Sequence, residues 1–215
     1  MSKKIKPQKN VSKKIKPKKS LNCVKNKMLS KLRRDGYIIL EGANLYKLRK
    51  VADERCGGGE WGDASDLVGW GCNAELEGIL GELWPGGHHM TTWCIRIAQP
   101  GCKGGGWHVD YPTHDYEEPY PAELHGIQVV VAIDDFTLGN GATEIIPGSH
   151  ESRRYPVTKE AAKLVKERVL MKSGSIAVWD SRLWHRTKAN KTAKGRRSFV
   201  GAYSSVSVPL KDGGV

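Results

Sequence analysis

A mainly β chain with flanking helices, folded as a double-sheet jelly roll with a small-molecule cavity at one end, is the class this sequence predicts. Three observations lead there. Eight short segments rich in β-branched and aromatic residues fill the chain after residue 90, and turn pairs such as Pro100-Gly101, Asn140-Gly141, Pro147-Gly148 and Ser173-Gly174 separate them. Apolar residues at helical spacing lie almost wholly before that point. Finally, 215 residues with 39% apolar content, 25 glycines and 10 prolines suit one core with many turns rather than two domains.

The elements follow in chain order. Residues 1–20 contain a near-repeat, Ser2 to Pro7 and again Ser12 to Pro17, in which lysines repel and proline blocks helix continuation, so a disordered basic tail is expected. Leu21, Val24, Met28, Leu29 and Leu32 share one helical face before Asp35-Gly36 ends the segment. Tyr37–Leu40 reads as a strand, Leu45–Arg55 and Asn73–Leu83 as helices, and Cys56–Gly59 as a loop. The β segments are Thr91–Gln99, Trp107–Asp110, Gly126–Asp134, Thr143–Ile146, Arg168–Met171, Ser175–Trp179, Leu183–Lys188 and Arg197–Val206, with one helical interruption at Lys159–Arg168. The folded domain is expected to run over residues 21–208, with 209–215 a short C-terminal tail.

Composition excludes several classes. No stretch approaches the roughly 20 apolar residues that span a bilayer, and lysines rather than an apolar signal segment follow Met1. A soluble cytoplasmic protein is expected. Its five cysteines are scattered with no CxxC pair, so reduced thiols are expected rather than a disulfide framework or a zinc ribbon. The net charge of +12 is uneven: residues 1–34 hold 14 Lys or Arg and no acid, whereas the remainder carries 21 basic against 23 acidic side chains. Three readings of the tail stand: a solvated extension, a non-specific contact for acidic surfaces or nucleic acid, and a nuclear-targeting run.

The chemistry gathers around His108 and Asp110. On a strand, residues i and i+2 leave the same face, so both side chains could reach one ion from the inner wall of a barrel. The pattern alone is weak, because 7 His and 10 Asp in 215 residues give about a third of a match by chance. His185, 77 residues further on a later segment, supplies a third ligand. Two histidines and one carboxylate leave metal positions open, as in non-haem Fe(II) oxygenases, whereas a closed structural zinc site needs a fourth ligand. Arg196 follows 11 residues later, and its planar fork suits the carboxylate of a dicarboxylate cosubstrate. Arg197 should face the opposite way. His150 reads as structural, and the adjacent His88 and His89 cannot both face one site. The long connection Tyr111–Glu123 starts directly after Asp110 and could close over it. Trp107, Trp179 and Trp184 read as packing residues.

One stretch adds a resemblance. Ile127 to His150, with its Asn140-Gly141-Ala142 and Pro147-Gly148-Ser149-His150 elements, resembles the central signature of the phytanoyl-CoA dioxygenase family. Lys31–Leu40, with Asp35-Gly36-Tyr37, resembles the family's opening, and Ser173 to His185 its closing strands, so the likeness covers about residues 28 to 206. The resemblance implies a double-stranded β-helix of cupin-like form and a dioxygenase using Fe(2+) and 2-oxoglutarate, with ascorbate as reductant. It places the iron on His108, Asp110 and His185, the far carboxylate of 2-oxoglutarate on Arg196, and a hydroxyl donor to that carboxylate at Thr187. Arg96 is a candidate for a further cosubstrate contact. Asp110 stands where related halogenases have a small residue, which implies hydroxylation of a small-molecule substrate. Two alternatives remain: a cupin-like binding protein without turnover, and a nucleic-acid demethylase using the basic tail.

Overall fold

A computed structural model describes residues 21–55, 61–67 and 72–208 of the chain. The N-terminal residues 1–20, the loop expected at Cys56–Gly59 and residues 209–215 lie outside that description. Three helices, α1 (Leu21–Asp35), α2 (Tyr46–Arg55) and α3 (Ala74–Leu83), alternate with the short strands β1 (Tyr37–Leu40) and β2 (Trp61–Asp63). A β-rich part follows: β3 (His88–Ala98), β4 (Gly126–Ala132), β5 (Thr143–Ile145), the single turn α4 (Thr158–Ala161), β6 (Glu167–Arg168), β7 (Ile176–Asp180), β8 (His185–Thr187) and β9 (Arg196–Ser205).

The strands form two antiparallel sheets, a major one in the order β1-β7-β4-β9-β3-β2 and a minor one in the order β6-β5-β8. Alternation along each major strand sends side chains to two different cores. Ile38, Leu40, Trp93, Ile95, Val129, Val131, Ile176, Val178 and Phe199 point outward and meet Leu29 and Leu32 of α1, Leu48 and Ala52 of α2, and Leu76, Ile79 and Leu80 of α3. Each such aliphatic side chain contributes about 1.5–3 kcal/mol by leaving water, which fixes the helices on the outer face. Their neighbours Val130, Ala132, Ala177 and Trp179 point inward and pack between the sheets with Phe136, Ile145 and Leu183. A third cluster, Trp107, Val109, Tyr120, Ile146, Ala161 and Trp184, lies beyond the minor sheet.

Most expected elements are present, with four corrections. Trp107–Asp110 makes a single antiparallel bridge, His108 to His185, rather than a strand. The helix expected over Lys159–Arg168 stops at Ala161. Ala161 is the residue that buries there, Leu164 and Val165 stay exposed, and Glu167 and Arg168 pair instead with Ile145 and Glu144. Arg168–Met171 likewise shortens to the two residues of β6 plus a bridge from Met171 to Phe136. Strand β3 begins three residues earlier than expected, at His88, with a bulge between Met90 and Thr92.

Candidate active site

The site is assembled where the two sheets meet. His108 and His185 are cross-strand partners joined by reciprocal backbone hydrogen bonds of 3.0 and 3.2 Å, which sets their rings side by side with centroids 4.2 Å apart. Asp110 follows two residues after His108, its N–H donating to the Ser181 carbonyl at 2.8 Å. Trp107 and Val109, which flank His108, turn into the third cluster, so the i, i+2 alternation does aim His108 and Asp110 to one side. The three residues each offer one donor atom, all within 4.8 Å of one another.

The protonation pattern is set by carbonyl neighbours. Nδ1 of His108 lies 3.0 Å from the Gly106 carbonyl and Nδ1 of His185 lies 2.9 Å from the Leu183 carbonyl, contacts that only an N–H can satisfy. Both Nε2 atoms then present lone pairs. Burial pushes the His185 imidazole below its ordinary pKa, against the opposing pull of Asp110, so the neutral ring prevails. The Asp110 carboxylate accepts a 2.9 Å hydrogen bond from Trp179 Nε1 and approaches His185 Nε2 to 3.3 Å. Two electron-rich atoms held that close repel unless a cation lies between them, and two imidazoles with one carboxylate are a donor set suited to a divalent transition metal. The residues therefore fit such an ion.

A cavity of about 530 Å³ opens from these side chains. Arg196, Thr187, Arg96, Lys103, Cys102, Thr143, Gln128, Trp179 and Ser198 contribute to its walls. Arg196 is only 5% exposed, yet among the described residues it has no carboxylate partner. It donates to the Gly141 carbonyl at 3.3 Å and lies over the Phe136 ring at 3.7 Å, while its Nε is buried without a partner. Burial lowers its pKa to about 10. A buried guanidinium with unused donors is a site for a planar anion. Arg197 faces the other way, paired with Asp134 at 2.7 Å and with Asp53. Thr187 pairs with Thr143 across β8 and β5, both lining the cavity. The Thr187 carbonyl accepts from Gly105 N at 2.9 Å, and Gly104 must be glycine here, because its φ is +82° and a Cβ would lie 2.4 Å from that carbonyl.

The other expected residues separate cleanly. His150 is buried and donates from Nε2 to the Arg33 carbonyl at 3.0 Å, closing the C-terminal end of α1, a structural role. His88 contacts Trp84 and Tyr203 on the outer side, with ring centroids 6.4 and 5.8 Å away. Trp107 and Trp184 pack, as expected, but Trp179 also holds Asp110. The Tyr111–Glu123 connection is fastened at three points. Pro112 sits over Gly126, where a Cβ would come within 2.3 Å of its ring; Thr113 bonds the Ser181 hydroxyl at 2.6 Å; and Arg182, paired with Asp180 at 2.6 Å, donates to the Pro121 and Ala122 carbonyls. Sequence reasoning missed Gln128, Thr143, Ser198 and Lys103. Ser198 alone had a local signal, two residues after Arg196 on one strand.

The fold is thus a jelly roll whose paired sheets enclose a histidine–carboxylate cluster and a buried arginine. Residues 70–198 match the family model described as phytanoyl-CoA dioxygenase, and the chain belongs to that family. Among curated relatives it is 31% identical over 117 residues to an iron/alpha-ketoglutarate-dependent dioxygenase, ausU, of Aspergillus calidoustus, covering 53% of this chain and 36% of that protein. It is 31% identical over 98 residues to the dioxygenase andF of Emericella variicolor, covering 45% of this chain and 33% of that protein. The chain thus spans about a third of the length of these relatives. Its fold is shared with EctD from S. alaskensis, solved with 2-oxoglutarate and 5-hydroxyectoine, at a TM-score of 0.72 and 20% identity over 86% of this chain and 77% of that one. No helix among the described residues is long and apolar enough to cross a membrane.

Proposed function

We propose that the protein is a non-haem Fe(II), 2-oxoglutarate-dependent dioxygenase that hydroxylates a small-molecule substrate and releases succinate and CO2. One observation carries the reading: His108, Asp110 and His185 converge in a single cavity beside a buried Arg196 that has no carboxylate partner among the described residues. His108, Asp110 and His185 would hold the iron, and Arg196, with Thr187 beside it, the far carboxylate of 2-oxoglutarate. Iron bound there supplies dioxygen activation coupled to oxidative decarboxylation of the cosubstrate. The protein's own contribution is positional. Trp179 fixes the Asp110 carboxylate and the two backbone carbonyls fix the histidine tautomers. The named relatives, one called iron/alpha-ketoglutarate-dependent, support the cofactor pair; ascorbate would serve as the reductant that keeps iron ferrous. The lysines of residues 1–20 suit salt-sensitive, non-specific attraction to acidic surfaces or nucleic acid.

The test is reconstitution of the full chain with Fe(II) under exclusion of air, then addition of oxygen, 2-oxoglutarate and ascorbate. Slow succinate release is expected without substrate. His108→Ala, Asp110→Ala and His185→Ala should each remove most of it together with stoichiometric iron binding; unchanged succinate release in all three sinks the assignment.

A further inference from the structure

The walls of the cavity are unevenly charged. Three cationic side chains, Arg96, Lys103 and Arg196, line it against one carboxylate, Asp110. A divalent ion and the dianion of 2-oxoglutarate cancel each other and Asp110 offsets Arg196, so Arg96 and Lys103 remain uncompensated. Neither has a carboxylate partner among the described residues, whereas other arginines do: Arg55 pairs with Asp66 at 2.5 Å, Arg186 with Glu144 at 2.6 Å and Arg197 with Asp134 at 2.7 Å. Both Arg96 and Lys103 are exposed, so they stand where the cavity meets solvent. Their positions are set by the backbone. Arg96 lies opposite Ser198 in the pairing of β3 with β9, two residues before Ala98, which is opposite Arg196; with Trp93 and Ile95 turned to the outer core, it faces inward. Lys103 rides on a loop tied to the chain after β8. Gly101 N donates to the Asn190 carbonyl at 2.9 Å, Asn190 N to the Cys102 carbonyl at 3.1 Å, and Gly105 N to the Thr187 carbonyl at 2.9 Å. The residues that follow leave room. Unlike Gly104, Gly105 and Gly106 have no positive φ, and a Cβ on either would meet nothing within 4 Å. The backbone between Lys103 and His108 therefore borders open space, and Gly105 itself lines the cavity. At about 530 Å³ the cavity lies in the range that holds a drug-sized ligand, more than a five-carbon dicarboxylate needs.

We propose that Arg96 and Lys103 form an anion subsite at the mouth of the cavity, and that the substrate is a small molecule bearing a carboxylate or phosphate group. Its body lies along the bare backbone of Gly105 and Gly106 toward His108. A guanidinium fork and an ammonium group suit oxyanions of either kind. The same uncompensated charge raises the local concentration of anions at the entrance. This rests on the dioxygenase reading and names its substrate class.

Two measurements test it on the full-length, Fe(II)-loaded protein. The first is scanning fluorimetry without air, with saturating 2-oxoglutarate and fixed ionic strength. Short monocarboxylates and phosphate monoesters are compared with their methyl esters or parent alcohols, and the two sets of probes distinguish a carboxylate from a phosphate. At least one anion should raise the melting temperature by several degrees at about 100 times its Kd, and its neutral counterpart should not. Arg96→Gln and Lys103→Gln should each weaken that anion roughly tenfold or more, with the shift from 2-oxoglutarate itself retained. The second is oxygen uptake above the substrate-free rate with the same compounds. Those that stimulate should be anions, and in the two variants their KM should rise roughly tenfold while kcat changes little. The proposal is overturned if no anion raises the melting temperature beyond its neutral counterpart, if the Kd of the bound anion is unchanged in both variants, or if neutral counterparts stimulate equally. Loss of the 2-oxoglutarate shift in Arg96→Gln also overturns it, because that arginine would then be a cosubstrate contact. If no compound stimulates uptake, the melting comparison alone decides. Absence of both the 2-oxoglutarate shift and succinate release in the unmutated protein would instead sink the dioxygenase reading, leaving the anion comparison on the Fe(II) protein to judge the subsite.

Discussion

Replacing Arg196 by leucine gives opposite signs for a cosubstrate anchor and for a structural arginine. In the free protein the guanidinium has one long hydrogen bond, a stack on Phe136 and a buried Nε without a partner. Removing a charge so poorly compensated should leave the free protein unchanged or stabilise it, by about 0–2 kcal/mol. A ligand present at about 100 times its Kd adds about 2.7 kcal/mol, and at about 2–4 °C per kcal/mol for a chain of this size the wild-type protein should gain about 5–11 °C with saturating 2-oxoglutarate. Losing a buried charge partner costs about 2–5 kcal/mol, roughly 30-fold to several-thousand-fold in Kd, so the same ligand concentration should give Arg196→Leu about 3 °C or less. The assay is scanning fluorimetry of anaerobic Fe(II) protein with and without 2-oxoglutarate. A variant that melts several degrees lower without ligand yet keeps the full ligand shift refutes the anchor. Arg197→Leu is the internal control: its partners Asp134 and Asp53 lie on the outer side, so it should lose some stability and keep the ligand shift.

Two further outcomes are expected. Trp179→Phe removes the 2.9 Å donor to Asp110 and should weaken Fe(II) binding about 10- to 100-fold, with the circular dichroism spectrum preserved; an unchanged Fe(II) Kd would show that Trp179 only packs. On the proposed ligand set Asp110 would fill the carboxylate position, so product formed in chloride-rich buffer under labelled dioxygen should gain one labelled oxygen; a chlorinated product from the unmutated protein would remove Asp110 from the ligand set.

What the sequence reveals and conceals here follows from the range of the interactions. The i, i+2 spacing of His108 and Asp110, the outward turn of Arg197 and the helical face of Leu29 and Leu32 are local periodicities, and each reappears as expected. Trp179 is 69 residues from Asp110, and nothing near either residue announces the hydrogen bond. Lys103 joins Arg96 and Arg196 at one cavity only through the register of β3 against β9 and the ties of its loop. The mistaken helix after Ala161 has a different cause. Its sequence has helical spacing, but Leu164 and Val165 find no core to enter, and pairing with β5 captures Glu167 and Arg168.

The single bridge between His108 and His185 has a consequence for biogenesis. On the proposed ligand set, a nascent chain that has emerged only through Asp110 holds two of the three donors, on a segment whose backbone partners, His185 and Ser181, do not yet exist. Neither tautomer control at His185 nor the Trp179 clamp is available until the last third of the domain is made and paired. On that ligand set, tight loading of an ion would be a late, post-assembly event. Held by those residues, an ion would cross-link positions 77 residues apart, so its loss would be felt as a loosening between the halves of the barrel rather than as a local change at one strand.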